Sequence, residues 1–476
     1  MKEGFAKLFI DNFLIYGLGN VIGKAVPVIM VPILTKLYPS PDYLGLNDLT
    51  MMIVSFAGSL SLCGMYDAVF RLYFDKADIQ YRKGICSTAL FFVLFTTMLL
   101  SLILFFFRET IAVLVFGDST YKILVLLSIA GLLSSNLNSL ISCPTRMENR
   151  RGIFLLTNTI SPLISYSVAL CLLLRGRYLT AIPIGTILSG LLVDSIYIIL
   201  NHTWFSVRLV NKKDLCALLS IGVFLIPNFF IYWIYHSADR IMIGKLLGNS
   251  AVGLYSVAAK AGSISNLIYM AFSGGWLYVS YSLMQDRENT KIKSMLFEYL
   301  SAVVYASSVL LSFIIKPLWG MIFPEAYQIS SVPGVYLFLA PMLLMLFQMA
   351  ANQFTVVKKS YMNLLALTTG AIVNIILNLY LIPKLGIEGA AIATVGGYTV
   401  NLMMTVLMLK GSGLLVISRR YTLYAVLFGS YMMMWHYQNM RVSVPAGVGI
   451  LMILFAGYRK EILTLAQKMQ FRREER

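Results

Sequence analysis

The sequence predicts an all-α integral membrane protein with about 14 transmembrane helices, arranged as two six-helix, pseudo-symmetric lobes around a central cavity plus two C-terminal helices. Composition predicts the class, since 58% of the residues are hydrophobic and only 12% are charged, with a mean hydropathy of +0.78. Soluble domains carry about 25% charged residues. Helices are favoured over a barrel because lipid offers no partner for backbone groups and the apolar runs do not alternate with polar residues.

The apolar runs are each close to the roughly 20 residues that cross the hydrocarbon core of a bilayer. The predicted spans are 11–34, 46–70, 84–107, 121–142, 153–174, 179–201, 215–243, 250–280, 293–316, 332–357, 361–382, 388–410, 421–438 and 442–457. The predicted segments are an N-terminal lobe at 1–205, a cytoplasmic linker at 206–214, a C-terminal lobe at 215–412, two extra C-terminal spans at 413–458 and a basic cytoplasmic tail at 459–476.

Short motifs that recur at an offset of about 208 residues indicate an internal repeat. The Gly-Leu pair at 45–46 recurs at 253–254, and the basic pair at 150–151 recurs at 358–359. Spans one to six and seven to twelve are therefore predicted to be copies. Because each copy has an even number of spans, both insert in the same direction and are related by a pseudo-twofold axis along the membrane normal.

The basic residues predict the orientation of the chain. Assigning alternate loops to the two sides puts about 26 Lys and Arg on the side of both termini and about 10 on the other, so both ends are predicted to be cytoplasmic. This distribution accounts for most of the net charge of +17. It forms no single patch of the kind that binds nucleic acid, and no nucleic-acid partner is predicted.

Metal and cofactor chemistry has no visible place in the sequence. The five cysteines and three histidines are scattered singly, with no Cys-x-x-Cys pair and no ligand spacing. The cysteines are interpreted as small core residues, and the histidines are equally isolated. No catalytic residue, no metal site and no cofactor is predicted.

Three stretches resemble a known family. They are LTKLYPSPDYLGLNDL at 34–49, SADRIMIGKLLGNSAVGLYSVAAK at 237–260 and LNLYLIPKLGIEGAAIAT at 377–394. Together they resemble the polysaccharide-transporter, or oligosaccharide (O-antigen-type) flippase, family of the multidrug/oligosaccharidyl-lipid/polysaccharide exporter superfamily. The resemblance covers essentially the whole chain.

The resemblance implies a two-lobed transporter, not an enzyme, in the bacterial cytoplasmic (inner) membrane. Its implied substrate is an undecaprenyl-diphosphate-linked oligosaccharide repeat unit, moved from the inner to the outer leaflet for synthesis of O-antigen, capsule or exopolysaccharide. Membrane lipids surround it, a glycan polymerase is a possible partner, and the expected state is a monomer. In the resembling fold, spans one, two, seven and eight line the central cavity.

Cationic groups within the predicted spans suit a substrate that carries a diphosphate, because charges inside a membrane are costly and usually functional. Lys24 lies near the middle of span one and Lys260 in the first third of span eight. With Arg71 they are predicted to bind the substrate. The alternative for each lysine is a buried ion pair or a side chain that extends to the interface.

Four further charged residues are predicted to act in gating or ion coupling. Asp67 and Arg71 are four residues apart and can pair along one helix face, either as a structural pair or as a cytoplasmic gate. Asp194 has no nearby cation in sequence. It is predicted to pair with a distant base such as Lys24, to be hydrated, or to bind H⁺ or Na⁺.

Asp239 and Arg240 are predicted at the outward end of span seven. Neighbouring residues point in different directions on a helix, so no direct pairing is expected. Each either anchors the helix end at the interface or contributes to an outward gate with partners on the first lobe.

The predicted mechanism is alternating access by rocking of the two lobes, driven by an ion gradient or by consumption of the product, because the chain has no ATP-binding motif. The alternatives are an ion-coupled multidrug exporter of the same superfamily, a membrane polymerase or ligase of lipid-linked glycans, and a scaffold for glycan assembly. The mid-span cation disfavours the exporter, the short predicted outward loops disfavour the enzymes, and the intramembrane charges disfavour the scaffold.

Overall fold

A computed structural model describes residues 23–282, 289–357, 359, 361–437 and 440–474 of the chain. These residues form helices joined by short turns, and no strand occurs among them. The predicted all-α class is confirmed. Each predicted span lies on helical residues over its described part to within a few residues, although the second falls on two helices and the eleventh and twelfth share one. The described part of the first span begins at residue 23.

The first half of the chain contains nine helices within the described residues. They are α1 (residues 23–37), α2 (Asp42–Leu62), α3 (Met65–Tyr73), α4 (Ile79–Phe106), α5 (Arg108–Phe116), α6 (Lys122–Ile141), α7 (Cys143–Met147), α8 (Arg151–Leu174) and α9 (Ala181–Asn201). Helix α6 packs against α2, α4 and α9, and α8 packs against α9. We refer to α1–α9 as the first lobe.

The second half of the described chain continues with seven helices. They are α10 (Lys212–Leu247), α11 (Asn249–Ser282), α12 (Asn289–Ile322), α13 (Ser331–Val356), α14 (Tyr361–Gly411), α15 (Arg419–His436) and α16 (Met440–Glu474). Helices α11, α12 and α14 surround α13, whose most apolar window is 89% buried. We refer to α10–α14 as the second lobe, and α15 and α16 pack against its α12.

The lengths and hydropathy of these helices suit a membrane. Nine helices of the described part are long and apolar enough to span a bilayer, and a tenth span results if α2 and α3 are counted as one bent unit. Their outward faces carry many exposed Leu, Ile, Phe and Met side chains. In water such a surface would cause aggregation, whereas lipid tails solvate it.

The second predicted span is broken rather than straight. Helices α2 and α3 meet at an angle of 46° across Cys63 and Gly64, which both have left-handed backbone conformations, with φ of 47° and 69°. Glycine adopts this conformation without strain, whereas cysteine does so at a cost. The sequence run remains apolar across the break, so hydropathy does not reveal it.

The predicted spans eleven and twelve form one element, α14, interrupted by a non-helical residue. Gly386 has φ 61° and ψ −139° and separates the two halves of α14. Pro383 lies three residues before it. The last helix also differs from expectation, because α16 continues to Glu474 through the segment that was predicted as a tail after residue 458.

The two lobes meet most extensively where α2 crosses α11. A Cβ atom on Gly45 would overlap the carbonyl oxygen of Asn249 and lie 2.9 Å from the amide N of Gly253. A Cβ atom on Gly253 would overlap the carbonyl oxygen of Pro41 and lie 3.1 Å from the amide N of Gly45. The repeat offset relates Pro41 to Asn249 and Gly45 to Gly253. Reciprocal contacts of this kind are the signature of a twofold axis, so the pseudo-twofold axis passes through this crossing.

A second glycine contact joins the lobes where α3 begins. A Cβ atom on Gly64 would lie 2.5 Å from the carbonyl oxygen of Gly222 on α10, and one on Gly222 would overlap the carbonyl oxygen of Cys63. Both backbones therefore approach more closely than any side chain allows. Helix α10 also contacts α2 and α4, so it forms much of the lobe interface.

Candidate functional site

A cavity of about 560 Å³ lies between the α2–α11 crossing and the body of the second lobe. Its walls come from α10, α11, α13 and α14, and the first lobe contributes Asp48 of α2. The charged and titratable side chains that line it are Asp48, His236, Asp239, Arg240 and Lys260. We call this space the interlobe cavity.

Arg240 connects the two lobes at one side of this cavity. Its Nε donates to Asp48 Oδ2 at 2.5 Å, and the two side chains are 20% and 23% exposed. It also donates to the carbonyl oxygen of His236 and lies 3.7 Å from Asp239 Oδ1. The expectation that Asp239 and Arg240 do not pair was wrong, because the long arginine side chain folds back along α10.

Asp239 is 4% exposed and is fully supported by donors. Its carboxylate accepts the hydroxyl of Tyr255 and the backbone amide of Arg240, at 2.8 Å for the amide. A buried carboxylate needs such donors because burial without them is costly. Asp239 is therefore a buried, hydrogen-bonded acid and not a residue that anchors the helix end at the membrane surface.

Lys260 has no carboxylate within 4 Å among the described residues. It is half-buried on α11 and close enough to Asp48 and Arg240 to interact with both. Since Asp48 is already held by Arg240, the ammonium of Lys260 is the cation of this cavity that remains available to a ligand.

The rest of the cavity wall is rich in tyrosine and amide side chains that the sequence analysis did not single out. Tyr235 and Tyr398 stack with their ring centroids 4.4 Å apart, and the Tyr269 hydroxyl donates to Gln348 Oε1 at 2.5 Å. These residues lie on four different helices. The three tyrosines lie within apolar runs and not at span ends. A tyrosine in that position needs a partner for its hydroxyl, and this could have marked them in the sequence as candidate cavity residues.

Lys24 lies at the lobe interface but lines a different space. Its Nζ is 3.0 Å from the sulfur of Met270 on α11, and no carboxylate lies within 4 Å of it in the part of the chain that the structure describes. It lines a pocket of about 450 Å³ within the first lobe, although it is close enough to interact electrostatically with His236. Lys24 therefore lines this pocket, whereas Lys260 lines the interlobe cavity.

The comparison of the sequence with protein families identifies its relatives. Residues 33–304, more than half of the chain, match the family described as "Polysaccharide biosynthesis protein". The chain belongs to this family. It is also 27% identical over 194 residues to an uncharacterized membrane protein, MJ1068, of Methanocaldococcus jannaschii, a match that spans 40% of this chain and 38% of that protein.

Solved structures with a similar fold are membrane transporters. The lipid II flippase MurJ in an inward closed conformation aligns with a TM-score of 0.68 at 15% identity, over 96% of this chain and 99% of that one. An inward-facing multidrug resistance MATE family transporter of the MOP superfamily aligns with a TM-score of 0.52 at 15% identity, over 84% of this chain and 95% of that one. A MOP superfamily transporter from Pyrococcus furiosus aligns with a TM-score of 0.52 at 13% identity, over 85% of this chain and 96% of that one. At these identities the likeness establishes the fold.

In this member of the polysaccharide biosynthesis protein family, Asp194 does not pair with Lys24. It is 2% exposed and accepts hydrogen bonds from Ser134 Oγ at 2.6 Å and Asn138 Nδ2 at 2.8 Å, both on α6. The predicted pairing was wrong because α9 presents Asp194 to α6. The carboxylate has neutral donors and no cation within 4 Å among the described residues.

The predicted Asp67–Arg71 pair is also absent from this family member. Arg71 instead pairs with Asp75 at 2.7 Å, with the two side chains 69% and 40% exposed, and Asp67 is exposed. Asp67 and Asp75 are each four residues from Arg71, and the structure pairs Arg71 with Asp75. An exposed pair of this kind is worth little stability.

The described part of the chain contains no group of three or more His, Cys, Asp or Glu side chains that could hold a metal ion. Its most concentrated polar chemistry is the interlobe cavity. There, a paired arginine, an available lysine and several tyrosine hydroxyls face one space. Such a site can bind an anionic and hydroxyl-rich ligand.

Proposed function

We propose that this protein is a flippase that moves an undecaprenyl-diphosphate-linked oligosaccharide repeat unit from the inner to the outer leaflet of the bacterial cytoplasmic membrane. The product would serve synthesis of O-antigen, capsule or exopolysaccharide. Membership of a polysaccharide biosynthesis family and the fold shared with a lipid II flippase support this reading. The protein would act as a monomer with both termini in the cytoplasm, beside a glycan polymerase.

One observation carries the proposal: the half-buried ammonium of Lys260 faces the interlobe cavity without a carboxylate partner among the described residues. A charge inside the membrane is costly and persists where function needs it. A diphosphate would supply the oxygen acceptors that the ammonium of Lys260 lacks within 4 Å among the described residues. The tyrosine hydroxyls and the amide of Gln348 supply the hydrogen bonds that sugar hydroxyls require.

The mechanism proposed is alternating access by rocking of the lobes. The α2–α11 crossing would close the end that the charge distribution predicts to be outward, and substrate would enter from the cytoplasmic side while that end is closed. Opening the crossing would separate Arg240 from Asp48 and expose the interlobe cavity outward. Buried Asp194 and Asp239 are the proposed sites at which H⁺ or Na⁺ couples to this exchange, with Asp67 and Arg71 at the opposite end.

The test is flipping of a short-chain prenyl-diphosphate oligosaccharide in proteoliposomes. Lys260→Ala is expected to lower the initial rate by about tenfold or more, since a hydrogen bond to a charged group contributes about 1.5–3 kcal/mol. Lys260→Arg keeps part of the rate. The control Lys245→Ala removes an exposed lysine from the end of α10 and is expected to have no effect.

Two outcomes would contradict the proposal. If Lys260→Ala flips the lipid as fast as the unmodified protein, the interlobe cavity does not bind the diphosphate. If the unmodified protein flips no such lipid but exports organic cations, the fold serves a multidrug exporter instead.

A further inference from the structure

A pocket in the first lobe has a chemical character that the proposed transport cavity does not explain. Its volume is about 450 Å³, within the range of ligand sites, and its walls come from α1, α6, α7, α8 and α9. Of the described residues, two cations, Lys24 and Arg146, line it, whereas no aspartate or glutamate does. The rest of the lining is largely hydroxyl and amide groups. This pocket therefore offers positive charge and hydrogen bonds with no compensating acid in its wall.

Arg146 is the unusual member of this pocket. One terminal nitrogen donates to the hydroxyl of Tyr66 at 2.5 Å, and the guanidinium lies 5.0 Å from the ring centroid of Phe154. Its Nε is buried and has no hydrogen-bond partner. No carboxylate lies within 4 Å of it among the described residues. Because Nε is enclosed, a ligand in the pocket would meet the terminal nitrogens, and an anion there would supply the charged acceptor that the guanidinium lacks among the described residues.

The backbone that carries Arg146 is held rigidly. Helix α7 is a short turn between α6 and α8, and Asn201 on α9 donates to the carbonyl oxygen of Ile141 at 2.7 Å and to Thr145 Oγ1 at 2.8 Å. Tyr66 holds the guanidinium from α3. A fixed cation loses little conformational entropy when a ligand binds, which favours recognition of a small anionic group.

We propose that the first-lobe pocket binds a phosphoryl group, a phosphate or diphosphate, through Arg146 and Lys24, with the surrounding hydroxyl and amide groups as further donors. Arginine suits this ligand because its planar set of donors matches two phosphoryl oxygens at once. The site is separate from Lys260. It deepens the proposed function only in that a lipid-linked diphosphate is one source of the phosphoryl group.

The first experiment needs no variant. The purified full-length protein is treated with phenylglyoxal, which modifies arginine, and modification of each arginine is followed by mass spectrometry with and without inorganic pyrophosphate. Pyrophosphate is expected to protect Arg146, while the exposed Arg150 and Arg208 react equally in both samples. Equal modification of Arg146 in both samples overturns the proposal.

The second experiment measures pyrophosphate binding by calorimetry in the Lys260→Ala background, which weakens any binding in the interlobe cavity. Adding Arg146→Ala is expected to weaken the remaining binding by about tenfold or more, because a charge-assisted bond is lost. Arg146→Lys retains part of it, and Arg150→Ala leaves it unchanged. Binding that is the same with and without Arg146 overturns the proposal, whether or not the protein proves to be a flippase.

The source of the phosphoryl group is distinguished in nanodiscs. A prenyl diphosphate that competes with pyrophosphate for Arg146 protection at a lower concentration assigns the site to the lipid-linked substrate. Equal protection by pyrophosphate with and without the prenyl lipid assigns it to a free phosphate or diphosphate. Both results support a phosphoryl site, whereas failure of every phosphoryl compound to protect Arg146 overturns it.

Discussion

The Gly45–Gly253 crossing and the Gly64–Gly222 contact both join the lobes through glycine backbones, but they differ in symmetry. The crossing joins positions that the internal repeat makes equivalent, and each side presents the same contact to the other. The second contact joins the break between α2 and α3 to the first third of α10 and has no such relation. The cross-lobe ion pair of Arg240 with Asp48 shares α2 with the crossing, but its other member lies on α10 and not on α11.

This difference indicates which of the two contacts between the lobes can separate. A crossing made of close backbone contacts can separate once the neighbouring Arg240–Asp48 pair is broken. The Gly64–Gly222 contact lies beside a backbone bend with two left-handed residues, which fixes its geometry. We expect the crossing to move during transport and the second contact to act as the pivot.

The largest effect is expected at the crossing. Gly45→Val places side-chain atoms where the carbonyl oxygen of Asn249 lies, so the closed crossing cannot form. Overpacking costs about 1–3 kcal/mol, and the upper value corresponds to an about 100-fold loss of flipping rate. Initial rates in proteoliposomes measure it.

The matched control is Gly429→Ala on α15, where a Cβ atom meets nothing within 4 Å. It should flip at the unmodified rate. A Gly45→Val protein that transports as fast as this control would show that closure of the crossing is not required.

A smaller effect is expected from the ion pair across the lobes. Removing one partner of a buried pair typically costs about 3–5 kcal/mol, and we expect about 1–3 kcal/mol for Arg240→Gln because both groups are about a fifth exposed. Asp48→Asn with Arg240→Gln should recover part of this loss. The free energies of unfolding of the two single variants and the double variant form a double-mutant cycle, which denaturant unfolding in detergent micelles measures.

The exposed pair of Arg71 with Asp75 provides the comparison for that cycle. Its coupling energy is expected to be about 0–1 kcal/mol, as for other exposed pairs. Equal coupling energies for the two pairs would mean that Arg240 and Asp48 do not hold the lobes together.

The smallest effect is expected at the helix break. Cys63 has φ 47°, a conformation that costs a non-glycine residue about 1–2 kcal/mol, so Cys63→Gly is expected to raise the free energy of unfolding by up to about 1 kcal/mol. Cys216→Gly, at an exposed position of α10, should lower it by about 0.5 kcal/mol through loss of helix propensity. Unfolding curves of the two variants that shift in the same direction would contradict this account of the break.

Most of the helix positions could be predicted from hydropathy, because each span must satisfy its own backbone hydrogen bonds and cover a fixed thickness of lipid. The break at Cys63 and Gly64 could not, since backbone conformation at a bend depends on the approach of Gly222 from α10. The extension of α16 to Glu474 was missed because a polar segment outside the membrane carries no hydropathy signal.

The residues of the candidate site could likewise be predicted only in part. Lys260 could be singled out as a candidate from the sequence because a lysine in an apolar span is costly wherever the helix packs. Its partners could not, and neither could the partners of Arg71 and Asp194, because spacing along one helix does not say which neighbour faces a side chain. Arg146 was overlooked because it lies in a connecting segment, where basic residues are ordinary.

The sequence by itself determined the membrane class, the approximate spans and the repeat, since these follow from local composition and from copies of one pattern. Only the tertiary structure decided that the repeat-equivalent Gly45 and Gly253 meet, that Arg240 reaches Asp48 across the lobes, and that Lys24 and Lys260 line separate spaces. The physical reason is that charge pairing and close backbone approach depend on distances of a few ångströms between helices, which packing sets and sequence order does not.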